Sequence, residues 1–400
     1  MKKKVLIINH AMEIGGAERA LLGLLNSFDF EEYNVDLFLA RHEGDLLPFV
    51  PKQVHLLDEN QANCLATPMK SLLKFGKLKM LYGRLKAKIL AKRTVKQLGL
   101  GTDNQVELTY SHKYTYKYLD FINPNVEYDL AISFLTPHYI CMNRCNAKKK
   151  IAWIHTDYST IDIDVQTELD MWSKYDYIAS ISDQCTKSFL SKMPSLKNKI
   201  VRIDNILSRD VVWKQAEEKD ENVPFTKNTI NLLSIGRYSV AKNFDNVPTI
   251  CKYLVDMGLN VKWYIIGFGG DEQLIKDRIQ EEGMEDTVVL LGKKVNPYPY
   301  IKQCDFYVQP SRYEGKAVTV REAQILEKPV IITRFPTSKS QLEDGVDGVI
   351  VEMDNKECAK GIYDFITNEE RVNKIVNNLK NTNYSNESEI YKLYDLISGE

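Results

Sequence analysis

Short apolar runs that end in a turn and lead into helical spacing recur along this 400-residue chain, and they constrain its fold more than any other feature. Residues 5–9 form the first such run, which is followed by a glycine turn and by leucines at steps of three and four. Residues 305–309 and 329–333 enclose another helical stretch, so that segment has the order strand, loop, helix, strand. Continuous apolar runs of this length are typical of parallel strands buried on both faces. Their alternation with helices predicts an α/β fold with doubly wound sheets.

An interruption in this pattern predicts the domain organisation. Residues 214–228 are charged, contain a proline and lack periodicity, which is typical of a linker. We therefore predict a first domain over 1–205, a linker over 206–229, a second domain over 230–380 and a C-terminal helix over 381–400. The other runs predicted to be strands are residues 35–39, 128–134, 150–154, 177–181, 200–203, 230–236, 261–267 and 287–291. A chain of this length with 44% hydrophobic residues can bury two cores.

The charged residues are divided unevenly between the two halves of the chain. Residues 1–200 carry 27 Lys and Arg against 22 Asp and Glu, whereas residues 201–400 carry 26 against 32. The positive excess of the first half suggests an anionic partner. An excess this small favours a membrane surface or a phosphate-bearing acceptor over nucleic acid, so we expect no nucleic-acid partner.

The most basic segment is residues 69–97, which hold ten basic residues and no acidic residue. Apolar residues recur there at steps of three and four, which predicts a helix with one apolar face, formed by Leu72, Phe75, Leu78, Tyr82, Leu85 and Ile89. A basic amphipathic helix of this kind can lie on an anionic membrane surface. The alternative is a helix whose apolar face packs on the core and whose outer face is solvated.

No metal ion or cofactor is expected from the sequence. The seven cysteines are odd in number and scattered, which indicates reduced thiols, and Cys141 and Cys145 lack the second pair that would complete a zinc site. Asp162 and Asp164 begin a helix predicted over 163–172, where acidic residues are favourable caps rather than metal ligands.

The expected location is the cytoplasm. No apolar run approaches the roughly 20 residues that span a bilayer, and Met1 precedes three lysines and a short strand rather than a leader. Binding of 69–97 to lipid would hold the protein peripherally at the inner face of the cell membrane.

Two carboxylates, Glu314 and Glu322, flank a predicted loop-to-helix junction. Glu314 precedes Gly315 in the loop that enters the helix predicted over 317–326, and Glu322 lies within the first turns of that helix. A helix N-terminus presents unpaired N–H groups and a positive dipole end, which suit a diphosphate, while carboxylates accept hydrogen bonds from sugar hydroxyls. In doubly wound sheets such loops lie at the carboxyl ends of strands, where ligands bind. The pair predicts a sugar-nucleotide site; the alternative is two solvated glutamates on a surface helix.

Two basic residues follow the predicted strand 230–236. Arg237 and Lys242 lie five residues apart on the loop after that strand. A guanidinium and an ammonium so placed can clamp a diphosphate and neutralise the charge that builds up on the nucleotide as the sugar departs.

Three sequence elements resemble the retaining glycosyltransferases of family 4, and the resemblance covers nearly the whole chain. They are Gly-Gly-Ala-Glu-Arg from Gly15, Gly-Arg with a later lysine from Gly236, and Ser-x-x-Glu-Gly with a later glutamate from Ser311. The resemblance implies the GT-B fold, in which two Rossmann-like domains flank an interdomain cleft and the last helix returns to the first domain. It also implies that the second domain binds the donor.

The resemblance implies a role for each matched residue. Arg237 and Lys242 would bind the diphosphate, Glu314 the sugar hydroxyls and Glu322 the nucleotide ribose. His155, at the end of a predicted strand, would hydrogen-bond the transferred sugar. The other donor-binding residues would be Gly15, Gly16, Gly267, Gly315, Lys316, Ala317, Val318 and Thr319.

Two details qualify this transfer of roles. Gly15 and Gly16 would permit positive φ and a close approach of backbone N–H groups to a donor phosphate. The loop around Gln341 lacks the glutamate that is more typical of the family, so the resemblance does not identify the donor sugar.

Together these features predict a metal-independent, retaining glycosyltransferase. It would move a hexose-type sugar from a nucleotide-diphospho-sugar, with UDP as the nucleotide, to a lipid-linked or surface-polysaccharide precursor. No enzymic nucleophile is evident, which agrees with the family's front-face substitution, where the departing phosphate helps to deprotonate the acceptor. Two alternatives remain: a sugar-nucleotide 2-epimerase, which shares the architecture but needs no acceptor, and a catalytically silent sugar-nucleotide-binding partner subunit.

Overall fold

The computed structural model describes residues 2–59, 69–101, 104–218, 220, 223–314 and 317–399. The chain divides into two units, each with its own parallel sheet. Unit 1 comprises Met1–Ile206 together with Asn386–Glu400, and unit 2 comprises Leu207–Ser385.

Unit 1 contains a sheet in which all strand pairs of the described residues are parallel. Its strands are β1 (Lys3–Asn9), β2 (Tyr33–Leu39), β3 (His55–Leu56), β4 (Glu127–Ser133), β5 (Asn146–Ile154), β6 (Tyr177–Ser180) and β7 (Ile200–Arg202), in the order β3-β2-β1-β4-β5-β6-β7. The helices that precede Ile206 are α1 (Gly16–Asn26), α2 (Met69–Lys74), α3 (Leu78–Leu98), α4 (Val106–Thr115), α5 (Tyr139–Asn143), α6 (Val165–Trp172) and α7 (Asp183–Lys192). In β1, Val5 and Leu6 point to opposite faces and both are fully buried, because helices cover each face.

Unit 2 has a second parallel sheet and its own hydrophobic core. Its strands are β8 (Ile230–Ile235), β9 (Val261–Ile266), β10 (Val288–Gly292), β11 (Phe306–Gln309), β12 (Val330–Thr333) and β13 (Val349–Val351), in the order β10-β9-β8-β11-β12-β13. Its helices are α8 (Arg209–Ala216), α9 (Val247–Asp256), α10 (Glu272–Glu282), α11 (Tyr298–Gln303), α12 (Val318–Ile325), α13 (Asn355–Ile366) and α14 (Glu369–Asn381). Since β8 lies beside β11, with Leu233 opposite Tyr307, the loops that leave these two strands are neighbours.

Part of the predicted linker over 206–229 is wrong. Helix α8 lies inside that range, and its Val212 and Ala216 are buried in the core of unit 2. The indole of Trp213 donates a hydrogen bond to the carbonyl oxygen of Ile325 at 3.0 Å. The short helix has too few turns to show a clear apolar period in the sequence, yet two apolar residues one turn apart suffice to dock it.

The last helix, α15 (Ile390–Ser398), packs within unit 1. The ring of Tyr394 stacks on that of Tyr33, with centroids 4.2 Å apart, and its hydroxyl accepts a hydrogen bond from the backbone N–H of Asp29 at 2.8 Å. Leu393 and Ile397 are buried in the same core as β1. These contacts hold the C-terminal segment to the first sheet.

The basic segment 69–97 forms two helices rather than one. Gly76, with φ of 65°, separates α2 from α3. Leu72 is fully buried, whereas the other residues of the predicted apolar face, Phe75, Leu78, Tyr82, Leu85 and Ile89, are exposed. The alternative in which this face packs on the core is therefore wrong for all of these residues except Leu72.

In the described part of the chain, no helix combines the length and the apolar composition needed to cross a bilayer.

Candidate functional site

The loops that follow β8 and β11 are joined by hydrogen bonds and an ion pair. The backbone N–H of Arg312 donates to the carbonyl oxygen of Ala241 at 2.8 Å, and the side-chain amide of Asn243 donates to the carbonyl oxygen of Pro310 at 2.9 Å. The guanidinium of Arg312 also binds both carboxylate oxygens of Asp245, at 2.8 and 2.7 Å. A bidentate pair of this kind fixes orientation as well as distance. The two loops therefore form one rigid edge of the sheet.

Lys242 and Glu314 form an ion pair across this edge. The Lys242 ammonium lies 2.5 Å from Glu314 Oε1, although 72 residues separate the two in sequence. The same oxygen accepts hydrogen bonds from the Ser311 hydroxyl at 2.6 Å and the Gln309 amide at 3.1 Å. Both side chains are largely shielded, with 20% of Lys242 and 10% of Glu314 exposed. The structure thus brings together two of the predicted catalytic residues.

Two glycines make room for this arrangement. A Cβ on Gly236 would lie 3.0 Å from Cε of Lys242, so the missing side chain leaves a path for the lysine. A Cβ on Gly267 would lie 1.9 Å from the carbonyl oxygen of Gly236 and 2.7 Å from the Tyr238 ring. Gly267 is thus required for the close approach of two backbone segments. The donor-binding role predicted for it stays a prediction.

Arg237 lies beside Gly236 at the same strand end, and its side chain is exposed. Among the described residues no ion pair involves Arg237, so its guanidinium is accessible to an anionic ligand. Gly315 and Lys316, which were also predicted to bind the donor, lie outside the described residues.

Helix α12 begins directly after the Glu314 loop, as its spacing predicts. Ala317 is the N-cap, and no side chain caps the helix there. The backbone N–H of Ala317 donates to the side-chain oxygen of Gln341 at 2.8 Å. Val318 and Thr319 form the first turn and are half-buried. The residue at 341 therefore contacts this helix start even though it is not the glutamate typical of the family.

Glu322 is buried on the inner side of α12, with 1% of the residue exposed. Its Oε1 accepts a hydrogen bond from the hydroxyl of Tyr298, which begins α11, at 2.8 Å. This contact links α11 to α12 in the core of unit 2. The predicted role of Glu322 in binding ribose stays a prediction.

The glycine pair after β1 does not use the positive φ that glycine permits. Gly15 is the N-cap of α1 with φ of −152°, and neither Gly15 nor Gly16 has positive φ. The carboxylate of Glu18 folds over Gly15 and lies 2.2 Å from the position a Cβ would take there. The positive φ that the two glycines permit is not used here, because an extended N-cap starts the helix. The predicted contact with a donor phosphate stays a prediction.

His155 follows β5 in unit 1 as a neutral, partly buried imidazole. Its ring lies 4.4 Å from that of Phe134 and is stacked with that of Trp153, at 6.1 Å between centroids. Burial lowers the pKa of His155 to about 3. Its Nε2 is buried and has no hydrogen-bond partner among the described residues. A neutral ring can exchange hydrogen bonds with a sugar hydroxyl, and that predicted role stays a prediction.

Asp164 caps α6, as the sequence predicts. Its carboxylate accepts a hydrogen bond from the N–H of Thr167 and another from the hydroxyl of Tyr110, the latter at 2.7 Å. The helix begins at Val165, two residues later than predicted. Asp162 accepts a hydrogen bond from the N–H of Gly101 at 2.9 Å. The described residues contain no cluster of three or more His, Cys, Asp or Glu suited to a metal ion.

Sequence reasoning gave no roles to several polar residues that position the site. Gln309, at the end of β11, is fully buried, and its amide binds both Ser311 and Glu314. The signal was a polar residue that ends an apolar strand, because a buried amide needs partners. The contact between Tyr298 and Glu322 had no such signal, since the two lie on separate helices.

Comparison with known proteins gives a match to unit 2. Residues 215–382 match the family model of the glycosyl transferases group 1, which is less than half of the chain. Unit 2 is similar to group 1 glycosyl transferases. The chain is 28% identical over 172 residues to an uncharacterized glycosyltransferase of Methanocaldococcus jannaschii, a match that covers 42% of each protein.

A longer match covers most of the chain. The chain is 23% identical over 362 residues to the N-acetylgalactosamine-N,N'-diacetylbacillosaminyl-diphospho-undecaprenol 4-alpha-N-acetylgalactosaminyltransferase of Campylobacter jejuni, which covers 88% of this chain and 87% of that protein. The structure of Anabaena HepE in complex with UDP and glucose has a TM-score of 0.65 and 16% identity, with both chains fully covered. The predicted GT-B fold is confirmed, and these matches support a place for the chain in the glycosyltransferase superfamily.

Proposed function

We propose that this protein is a retaining glycosyltransferase that moves a hexose-type sugar from a UDP-sugar to a lipid-linked or polysaccharide precursor. The observation that carries the proposal is the Lys242–Glu314 pair at the joined ends of β8 and β11, with Arg237 exposed beside it. Ligands of doubly wound sheets bind at such strand ends. The similarity of unit 2 to group 1 glycosyl transferases supports this reading.

The charges at this edge suit a diphosphate leaving group. An ammonium has three N–H donors, and Lys242 uses one of them on Glu314, so two can bind phosphate oxygens. Glu314 holds the ammonium in place at the position where negative charge grows on the leaving group. Arg237 supplies a second cation with a planar fork that fits two phosphate oxygens. Together they stabilise the charge that develops on UDP as the sugar leaves.

The carboxylate of Glu314 also suits a sugar. Among the described residues its three hydrogen bonds all go to Oε1, which leaves Oε2 for a sugar hydroxyl. In a front-face substitution the sugar–phosphate bond breaks as the acceptor oxygen bonds to the same face of the sugar, and the departing phosphate oxygen takes the proton of the acceptor hydroxyl. The side chains here would then bind and orient rather than attack.

Two named proteins support the choice of donor and acceptor. HepE was crystallised with UDP and glucose, which supports a UDP-hexose donor. The Campylobacter relative acts on a diphospho-undecaprenol-linked saccharide by its name, which supports a lipid-linked acceptor. The donor sugar and the linkage are left to experiment.

A donor screen tests the proposal. The full chain is incubated with UDP-, GDP- and ADP-linked hexoses and a membrane lipid extract, and the released nucleotide is measured. We expect release of UDP from a UDP-hexose, at the same rate with and without EDTA because Lys242 and Arg237 perform the charge compensation. The anomeric configuration of the product, read by NMR, should match that of the donor.

Each other outcome supports a different reading. An isomerised donor without an acceptor product would indicate a 2-epimerase. Tight UDP binding by calorimetry without turnover would indicate a silent subunit. An inverted anomeric centre would exclude retention, and activity lost to EDTA and restored by manganese would exclude metal independence.

A further inference from the structure

The outward face of α3 is apolar and exposed. Its four large residues Leu78, Tyr82, Leu85 and Ile89 follow one another at steps of four, three and four, and 62%, 64%, 46% and 55% of each is exposed. At about 100° per residue they form one stripe along the helix. Scattered exposed apolar residues are ordinary, but a contiguous stripe of large ones indicates a binding surface.

The opposite face of α3 holds the helix to unit 1 through small residues. Gly83, Ala87 and Ala91 are buried against α4, and a Cβ on Gly83 would lie 2.6 Å from the carbonyl oxygen of Tyr114. Small residues allow this close contact between the two helices. The packing of α3 therefore does not use the apolar stripe, which stays on the outside.

Basic residues flank the stripe on both sides. By the same helical geometry, Lys79, Lys86 and Arg93 lie on one flank and Lys88 and Lys92 on the other. All five are exposed. No acidic residue occurs between 69 and 97, so the positive charge of the flanks is not balanced within the segment.

We propose that α3 is a docking surface for a bilayer that contains anionic lipids, with the stripe of Leu78, Tyr82, Leu85 and Ile89 at the acyl boundary and the basic flanks among the headgroups. The helix has 21 residues and is therefore about 30 Å long. An anionic lipid surface offers apolar acyl chains to the stripe and negative headgroups to the flanks along this whole length. Nucleic acid would leave the apolar stripe in water. A protein partner would need an apolar groove lined by acids on both sides.

The anchoring of α3 also determines which part of unit 1 faces the bilayer. Helix α4, on which α3 packs, is tied to the segment after β5, because Tyr110 donates to Asp164 and Thr109 donates to Glu168 at 2.8 Å. The ring of His112 on α4 lies edge-on to that of His10, which follows β1. The surface is thus one helix away from the carboxyl ends of β1 and β5. A lipid-linked acceptor would be delivered to that side of unit 1, a consequence that rests on the proposed transfer reaction, whereas the docking itself does not.

Vesicle flotation of the full chain tests the proposal. Vesicles of phosphatidylcholine alone are compared with vesicles that contain about 30% phosphatidylglycerol, at about 0.05 M and 0.5 M salt. We expect binding to the anionic vesicles at low salt, with at least a tenfold loss at high salt and on the neutral vesicles. Amide hydrogen exchange should slow in α3 when anionic vesicles are added.

Substitutions in the stripe give the second arm of the test. The double variant Tyr82→Glu/Leu85→Glu should lose at least tenfold in vesicle affinity, since it places two charges on the buried face of the bound helix. Leu274→Glu is the matched control, because Leu274 is an equally exposed leucine on α10 of unit 2, and it should bind like the unchanged chain. Neutralising one flank residue, as in Lys88→Gln, should weaken binding roughly fivefold.

The vesicle-binding results can be distinguished from a failure of the proposed transferase function. Failure of the unchanged chain to bind anionic vesicles, or equal binding by the stripe variant, overturns the docking proposal. Light scattering that shows a dimer abolished by the stripe variant would overturn it in favour of a second copy of the chain. Binding of UDP by calorimetry is measured on the same samples. Its loss with intact vesicle binding would count against the transferase alone.

Discussion

The two units share one architectural plan but differ in the chemistry at the carboxyl ends of their strands. In unit 2 these ends carry opposite charges, with Lys242 paired to Glu314 and Arg237 exposed beside them. In unit 1 the segments that follow β4 and β5 carry neutral histidines among aromatic rings, at His138 and His155. All six histidines of the chain lie in unit 1, and unit 2 has none. The same parallel scaffold therefore supports either charge compensation or uncharged hydrogen bonding, and only the residues that follow the strands decide which.

Burial explains why four histidines of unit 1 are neutral. Desolvation lowers the pKa values of His10, His112, His138 and His155 below the usual value for histidine. For His112 and His138, neighbouring histidines lower the pKa values further. Unit 2 instead balances a cation with an anion, so its partly shielded charges remain compatible with the fold.

The largest effect is expected from Lys242→Met, which removes the ammonium of the Lys242–Glu314 pair but keeps the methylene chain that lies against Gly236. Turnover should fall by about 100-fold or more, because the leaving group loses a preorganised cation. The melting temperature should change by only a few degrees. Nucleotide release and thermal unfolding are measured on the same preparation.

Lys252→Met is the matched control for this experiment. Lys252 also forms an ion pair in unit 2, with Glu282 at 3.1 Å, but it lies on α9 away from the loops. It should keep full turnover. Turnover of the Lys242 variant within twofold of the unchanged chain would remove the proposed role of this lysine and with it the contrast between the units.

The second prediction is that acid destabilises unit 1 before unit 2. A histidine whose folded pKa is lowered takes up its proton more readily in the unfolded chain, so its stabilising contribution is full above pH 6.5 and is lost as the pH falls below it. For His155, with a folded pKa of about 3, the loss at pH 5 is about 2 kcal/mol. Amide hydrogen exchange at pH 7 and pH 5, corrected for intrinsic rates, should show faster opening of β4 and β5 than of β8 and β11.

Two histidine variants check the cause. His155→Phe removes the titrating ring from its contact with Phe134 and should reduce the acid loss of unit 1. His55→Gln changes a histidine whose side chain is 71% exposed and should leave the acid loss as it is. Equal opening of both units at pH 5 would show that buried imidazoles do not distinguish them.

The smallest effect is expected from Gly236→Ala, which tests how precisely the Lys242 ammonium must be positioned. The added methyl would lie 3.0 Å from the end of a flexible side chain, so the lysine moves while the backbone stays. Turnover should drop roughly tenfold without a change in melting temperature. Gly270→Ala, with no atom within 4 Å of the added Cβ, should leave both unchanged. A stable Gly236 variant with full turnover would show that the position of the lysine is not critical.

Much of this architecture could be predicted from local patterns. The runs predicted over 305–309 and 329–333 are the strands β11 and β12, and each strand begins one residue later than predicted. The helix after Glu314 was predicted within one residue at each end. The short strands β3 and β13 were not predicted, because two or three residues carry too little periodicity to be distinguished from a loop.

The site was predicted in part. Lys242 and Glu314 were selected for charge and position, but their direct pairing depends on β8 and β11 being neighbours. The helix α3 shows the same limit: its spacing predicts an apolar face, yet Leu78 and Tyr82 are exposed while Gly83 and Ala87 are buried. Periodicity identifies a face and does not identify what covers it.

The sequence by itself determined the alternation of strands and helices, because buried parallel strands and amphipathic helices each have a hydrophobic pattern within a short stretch of the chain. It also determined which charged residues follow which strands. Only the tertiary structure decided the strand order, the joining of two loops by Arg312 and the outward orientation of the α3 stripe. These features depend on contacts between residues far apart in sequence. Such contacts leave no periodic pattern in any short stretch of the chain, so they cannot be predicted from local sequence.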